Sequence, residues 1–104
     1  MTTATNPESD RADEAVTIEL PDALRALAGN RAEVRVRAGT VAEALDELGR
    51  LHPEARLRIL TRGGELRPHV NLFVGDADIR SGRGLATELQ PGDSVLVVPS
   101  VAGG

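Results

Sequence analysis

Cysteine is absent from the 104 residues, and so are lysine, tryptophan and tyrosine; Phe73 is the single aromatic side chain. Without a thiol the chain has no disulfide framework, no thiolate zinc site and no cysteine nucleophile. Any sulfur chemistry in which it takes part has to use another group. The twelve basic residues are all arginine, scattered among sixteen acids at a net charge of -4. That pattern lacks the clustered positive field that nucleic-acid phosphates require. No apolar run approaches the ~20 residues of a membrane span, and the N-terminus lacks the basic-then-apolar signature of a secretory signal, so the sequence reads as a cytoplasmic protein without membrane contact. With one aromatic residue, the core has to be built from Val, Leu, Ile and Ala in well-defined rotamers.

The missing lysine is read first as compositional bias, of the kind that also inflates Ala and Gly. It has a chemical consequence all the same: the chain offers no side-chain amine or thiol that could capture an activated acyl group at its own tail.

What is present divides into three parts. Residues 1–14 are Thr, acids, Asn-Pro and Ser with almost no large apolar group, and are expected to be a disordered lead-in because they cannot bury enough surface to offset ordering. Residues 15–99 are expected to form one domain and residues 100–104 a flexible tail. Within the domain, Val16, Ile18 and Leu20 alternate with Thr17 and Glu19, and Val34 and Val36 alternate with Arg35 and Arg37, which predicts an antiparallel hairpin of two half-buried strands. The segment between them, 22–30, is a single helical turn or a wide loop that closes on Gly29-Asn30.

Thr40 opens the clearest helix, with Glu43 placed three residues on to complete a capping box. Val41, Ala44, Leu45 and Leu48 form its apolar stripe, with Leu51 or His52 closing it, and His52-Pro53 ends it. Residues 54–69 show a weaker pattern and are expected to be a connecting loop with a few buried contacts. A strand follows at 70–74, then a turn at 75–78, a short strand at Ile79-Arg80, a turn at 81–84, a possible helical turn at 85–89, and a turn at Pro91-Gly92-Asp93. The last strand, 95–98, is a continuous apolar run stopped by Pro99. One amphipathic helix cannot bury itself, so it has to cross a mixed sheet in which the last strand lies parallel to the first in the middle. The class is α+β, and the layout is that of a β-grasp, or ubiquitin-like, fold with one main helix.

No catalytic centre and no metal site emerge from the residues. Asp76 and Asp78 lack the further oxygen ligands of a calcium loop and read as a turn. Gly82-Arg83-Gly84 is too short for a phosphate-binding fingerprint. His52 and His69 stand without a nucleophile or a third ligand nearby. What remains is the Gly103-Gly104 ending behind a proline stop and a run of small residues. A terminal carboxylate is an anion at neutral pH and a poor electrophile, so it needs activation, most simply as an acyl-adenylate. Glycines can pass a narrow channel toward the α-phosphate of ATP and adopt either sign of φ. Strand parity, in turn, points Val70, Leu72, Val74, Val95 and Val97 toward the helix and Phe73, Leu96 and Val98 outward, as a candidate docking surface for a partner.

The stretches 69–80, 84–87, 92–95 and 99–104 resemble those of the ThiS/MoaD-like sulfur carriers, most closely the subgroup that carries sulfide for cysteine biosynthesis, over roughly residues 15–104. The resemblance implies a carrier and co-substrate rather than an enzyme, with no cofactor of its own. An E1-like enzyme would use ATP to adenylate Gly104, a sulfur source would convert it to a thiocarboxylate, and Val101, Ala102, Gly103 and Gly104 would thread into the partner active sites. In the cysteine branch the acceptor would be a PLP-dependent synthase, with a metalloprotease releasing the product. The Val-Ala-Gly-Gly ending is shared with the small subunit of molybdopterin synthase, whose large subunit is then the alternative acceptor. Other thio-metabolite carriers, a ubiquitin-like modifier forming isopeptide bonds and a plain interaction subunit also fit the pattern.

Overall fold

The computed structural model describes residues 15–99; the lead-in expected at 1–14 and the tail expected at 100–104 lie outside the described residues. Strands β1 (Ala15–Glu19) and β2 (Glu33–Arg37) form the antiparallel hairpin, with Val16 opposite Val36 and Ile18 opposite Val34. Between them runs a short helix α1 (Asp22–Arg25), continued by a 3-10 turn at Ala26–Ala28. Gly29 and Asn30, at φ 67° and 63°, then reverse the chain; left-handed backbone at two successive positions suits the Gly-Asn pair found there.

Helix α2 (Val41–Leu51) starts where the capping signal places it, since the Thr40 hydroxyl accepts the Glu43 N–H at 3.2 Å. The reciprocal bond is shifted by one residue: the Glu43 carboxylate accepts the Gly39 N–H at 2.8 Å. The reason is tertiary, because this stretch also pairs with the segment before the last strand, through Val41 N–H to Thr87 C=O and Leu89 N–H to Gly39 C=O. Val41, Ala44, Leu45 and Leu48 are fully buried. Leu51 does not close the stripe; it is 47% exposed, because the chain turns at His52 before another element can cover it.

The largest departure from the sequence reading lies at 54–69. Instead of a loop, a second helix α3 (Pro53–Ile59) follows α2 directly, with Pro53 at its start and Ala55 and Ile59 buried. Proline at the first helical position lacks only an N–H that would be unpaired there anyway. α3 packs closely on α2 at Gly49, where a Cβ would lie 3.2 Å from the Arg56 Cβ and overlap its Cδ. Arg56 also reaches Asp46 of α2 at 3.3 Å. The remainder folds as a compact turn, with Leu60 bridged to Leu66 and the Thr61 N–H bonded to the Glu65 carbonyl.

Strands β3 (Val70–Val74) and β5 (Ser94–Pro99) pair antiparallel, and β5 pairs parallel with β1, which gives the five-stranded order β2-β1-β5-β3-β4 with β5 in the centre. The short strand β4 is Ala77–Asp78 rather than Ile79-Arg80. Gly75, at φ 62°, permits a two-residue loop that brings Ala77 opposite Val74 and Asp78 opposite Phe73. Ile79 then enters a 3-10 turn at Ile79–Ser81 and buries its side chain; a further 3-10 turn stands at Gly84–Ala86. α2 and α3 cover one face of the sheet over a single aliphatic core that includes Ile18, Leu45, Leu48, Ile59, Leu72, Val95 and Val97. Each of the larger of these contributes about 1.5–3 kcal/mol by leaving water.

Candidate functional site: the uncovered sheet face and the tail exit

The central position of β5 fixes where its last residue, Pro99, stands. The strand is held on both sides, by β1 through Thr17–Ser94, Ile18–Val95 and Glu19–Leu96, and by β3 through five consecutive pairs ending at Val70–Pro99. Pro99, the last described residue, is therefore held within the sheet. Val101, Ala102, Gly103 and Gly104 lie beyond this point, outside the described residues.

The face opposite the helices carries all three residues expected to point outward. Phe73 and Leu96 are direct cross-strand partners, and Val98 sits one row nearer the tail, opposite Asn71. Leu96 is 40% exposed, while Phe73 and Val98 are half-buried. Alternation explains the division, since Leu72, Val95 and Val97 on the same strands point inward and are buried.

Register adds what parity alone did not reveal. Glu19 is paired with Leu96 on one side and with Glu33 on the other, and Phe73 is paired with Asp78. One row across the sheet thus reads Glu33, Glu19, Leu96, Phe73, Asp78, an apolar pair between carboxylates. An open groove beside the row is lined by Glu19, Glu33, Leu96, Val98 and Pro99, the residue at which β5 ends. On the other flank, Arg80 is tied down by bonds to the Asn71 Oδ1 at 2.9 Å and to the Arg67 carbonyl at 2.7 Å. The carboxylates went unnoticed in the sequence because strand pairing, not local pattern, makes them neighbours; the only local signal was that Glu19 and Glu33 each alternate with an inward apolar residue.

The other residues singled out from the sequence take structural positions. The Asp78 carboxylate accepts the Arg80 N–H at 2.9 Å and so caps a 3-10 turn, while Asp76 lies exposed in the β3–β4 loop. Gly84, at φ 61°, leads from the Gly82-Arg83 bend into the next 3-10 turn, where its carbonyl accepts the Thr87 hydroxyl at 2.6 Å. The His52 N–H ends α2 on the Leu48 carbonyl, and His69 is exposed just before β3. Among the described residues, no three His, Asp or Glu side chains gather in a metal-holding group. No helix of the described chain is long and apolar enough to cross a membrane.

Among the described residues, the central strand β5 thus ends at Pro99 beside a sheet face on which Phe73, Leu96 and Val98 stand together. Residues 18–104 match the ThiS family. The chain belongs to that family. It is 34% identical over 91 residues to the sulfur carrier protein CysO of Mycobacterium tuberculosis, an alignment covering 86% of this chain and 98% of the relative. It superimposes with a TM-score of 0.78 on a chain of the Amycolatopsis orientalis BexX/CysO complex, at 34% identity and with 86% and 99% of the two chains covered. Small archaeal modifier protein 1 from Methanosarcina acetivorans is similar at a TM-score of 0.75 and 28% identity, over 86% of this chain and 96% of that one. These structures share the β-grasp architecture found here. The similar proteins thus include small sulfur carrier proteins and a small archaeal modifier.

Proposed function

We propose that this chain is a sulfur carrier whose working group is the Gly104 carboxylate. The observation that carries the reading is the family match itself, which runs through Gly104, together with the central strand that ends at Pro99 only five residues earlier. In the first step a carboxylate oxygen attacks the α-phosphorus of ATP on an E1-like enzyme, and pyrophosphate leaves. In the second, a hydrosulfide equivalent attacks the acyl carbon and AMP leaves, giving the thiocarboxylate. ATP and the sulfur source belong to the partner enzymes. Phe73, Leu96 and Val98 form the face on which the activating enzyme settles, and Val101 to Gly104 enter its active site.

Similarity to proteins called CysO supports cysteine biosynthesis as the destination of the sulfur. The acceptor is then a PLP-dependent synthase, and a metalloprotease frees the product from the tail. A molybdopterin synthase large subunit is the competing acceptor. The likeness to a small archaeal modifier favours a second reading, attachment of Gly104 to lysines of other proteins. Both start with adenylation. The test is ATP–pyrophosphate exchange by the adenylating enzyme of the same organism: the wild-type chain is expected to support it and Gly104→Val to abolish it while melting normally. Undiminished exchange with the variant would remove Gly104 from the chemistry.

A further inference from the structure

β2 is the outermost strand of the sheet, and among the described residues only β1 pairs with it. The phase of that pairing fixes which way its backbone groups point. The Leu20 N–H donates to the Ala32 carbonyl at 2.8 Å, in the register that continues Glu19–Glu33. Bonded pairs recur at every second residue of an antiparallel ladder, so Ile18–Val34 and Val16–Val36 are the next ones. The N–H and C=O groups of Glu33, Arg35 and Arg37 therefore point away from β1, along the outer edge. Their side chains lie together on the uncovered face and are exposed, while Val34 and Val36 are buried. The edge is bounded at both ends. The Gly39 N–H donates to the Glu43 carboxylate at 2.8 Å and its carbonyl accepts the Leu89 N–H at 2.9 Å, while the Arg31 N–H donates to the Ala28 carbonyl at 3.2 Å.

An edge strand is a template for another strand, and this one is complementary to itself. We propose that two copies of this chain associate edge to edge through β2, antiparallel about a two-fold axis at Arg35, so that two five-stranded sheets become one continuous sheet. In such a contact, residue i of one copy meets residue j of the other and j meets i. The register centred on Arg35 sets all the outward-facing residues against one another: Glu33 against Arg37 of the second copy, Arg37 against Glu33, and Arg35 against Arg35. Opposed residues share a face, so both copies keep their helices on one side. Two opposite-charge cross-strand pairs result. A slip by two residues sets Arg31 or Arg35 against Arg37 and brings in the occupied backbone groups of Arg31 or Gly39. Charges on an edge ordinarily keep other strands away. Here their order, an acid at one end and an arginine at the other, favours a copy running in the opposite direction. The cost that remains is Arg35 facing its mate at the axis. Phe73, Leu96 and Val98 lie on β3 and β5, clear of the joint, and the contact does not depend on the function proposed above.

The full-length chain and its variants are compared by sedimentation velocity over a concentration series reaching about 1 mM, with thermal melting alongside. The wild type is expected to shift toward the mass of a dimer as concentration rises. Arg37→Glu and Glu33→Arg are each expected to weaken association about tenfold, because attraction becomes repulsion at two symmetric positions. The combined exchange Glu33→Arg/Arg37→Glu rebuilds both pairs with their signs reversed and should return to within about threefold of wild type. Arg35→Gln removes the like-charge contact at the axis and should tighten the dimer about threefold. Arg35→Pro deletes an N–H that β1 does not use, a substitution that edge strands accept, and should abolish association. A wild-type chain that stays monomeric throughout, a combined exchange as weak as either single variant, or undiminished association of Arg35→Pro overturns the proposal. The exchange variants read the register through side chains alone, so the test stands even where proline is not tolerated at position 35.

Discussion

The two faces of β3 and β5 are written in alternate residues of the same ten or so positions, yet they answer to different demands. Leu72, Val95 and Val97 are buried beneath the helices, while Phe73, Leu96 and Val98 stand on the uncovered side in partial contact with water. The inner set can be substituted only at the cost of the core. The outer set is less buried, with Leu96 at 40% exposure and Phe73 and Val98 half-buried, so it is less constrained by the core. On the proposed function, stability and recognition are interleaved along one strand, and a partner seated on the outer set would be placed in register with Pro99.

Breaking the inner face should have the largest effect. Leu48→Ala, which empties a fully buried position of α2, is expected to cost about 2–5 kcal/mol in urea unfolding; a loss well below 1 kcal/mol would mean that α2 is not the anchor of the core. Next comes the seam between the helices. Gly49→Val should cost about 1–3 kcal/mol, because the new side chain overlaps Arg56 of α3, and a variant that melts above wild type would show the approach to be looser than described. Thr40→Ala removes the hydroxyl that accepts the Glu43 N–H and should lower stability by about 1 kcal/mol, readable as a shift in denaturation midpoint. Phe73→Asp sharpens the comparison from the outer side: it sets a carboxylate opposite Asp78 at a half-buried strand position and should cost about 1–2 kcal/mol, less than the loss at Leu48, while binding to the adenylating enzyme falls in the folded variant. Binding that survives this change would take Phe73 out of the docking face.

The elements legible in the sequence are those with a strong local period. β1 and β2 alternate cleanly, α2 combines a capping threonine with a stripe of four apolar residues, and the unbroken run in β5 marks a strand buried at the centre. α3 was not legible, because seven residues carry only Ala55 and Ile59 as an inward pair, buried in the shared core, and its close approach to α2 at Gly49 is a tertiary contact that no local pattern encodes. Its sequence signal was Pro53 at the first helical position with Glu54 in the first turn, where proline can open a helix as well as end the one before. β4 was expected two residues late, at Ile79-Arg80, for a similar reason: Ala77 and Asp78 become a strand only when Gly75 turns them back onto Phe73 and Val74. Leu51 was misplaced because a helical stripe is useful only as far as a neighbour covers it.

At the candidate site, the outward orientation of Phe73, Leu96 and Val98 followed from parity, which is a property of a strand alone. The acidic flank did not, because Glu19, Glu33 and Asp78 join Leu96 and Phe73 in one row only through four pairings among five different strands. Long-range register turns dispersed charges into a surface with a sign and a direction, and a single sequence does not carry it.

The most direct test of the account is the intact mass of the full-length chain after incubation with ATP, its adenylating enzyme and a sulfide source. The account predicts a gain equal to the exchange of one oxygen for one sulfur, confined to the C-terminal peptide ending at Gly104 and absent when ATP is omitted. An unchanged mass while AMP accumulates, or a gain located on any other peptide, would contradict it.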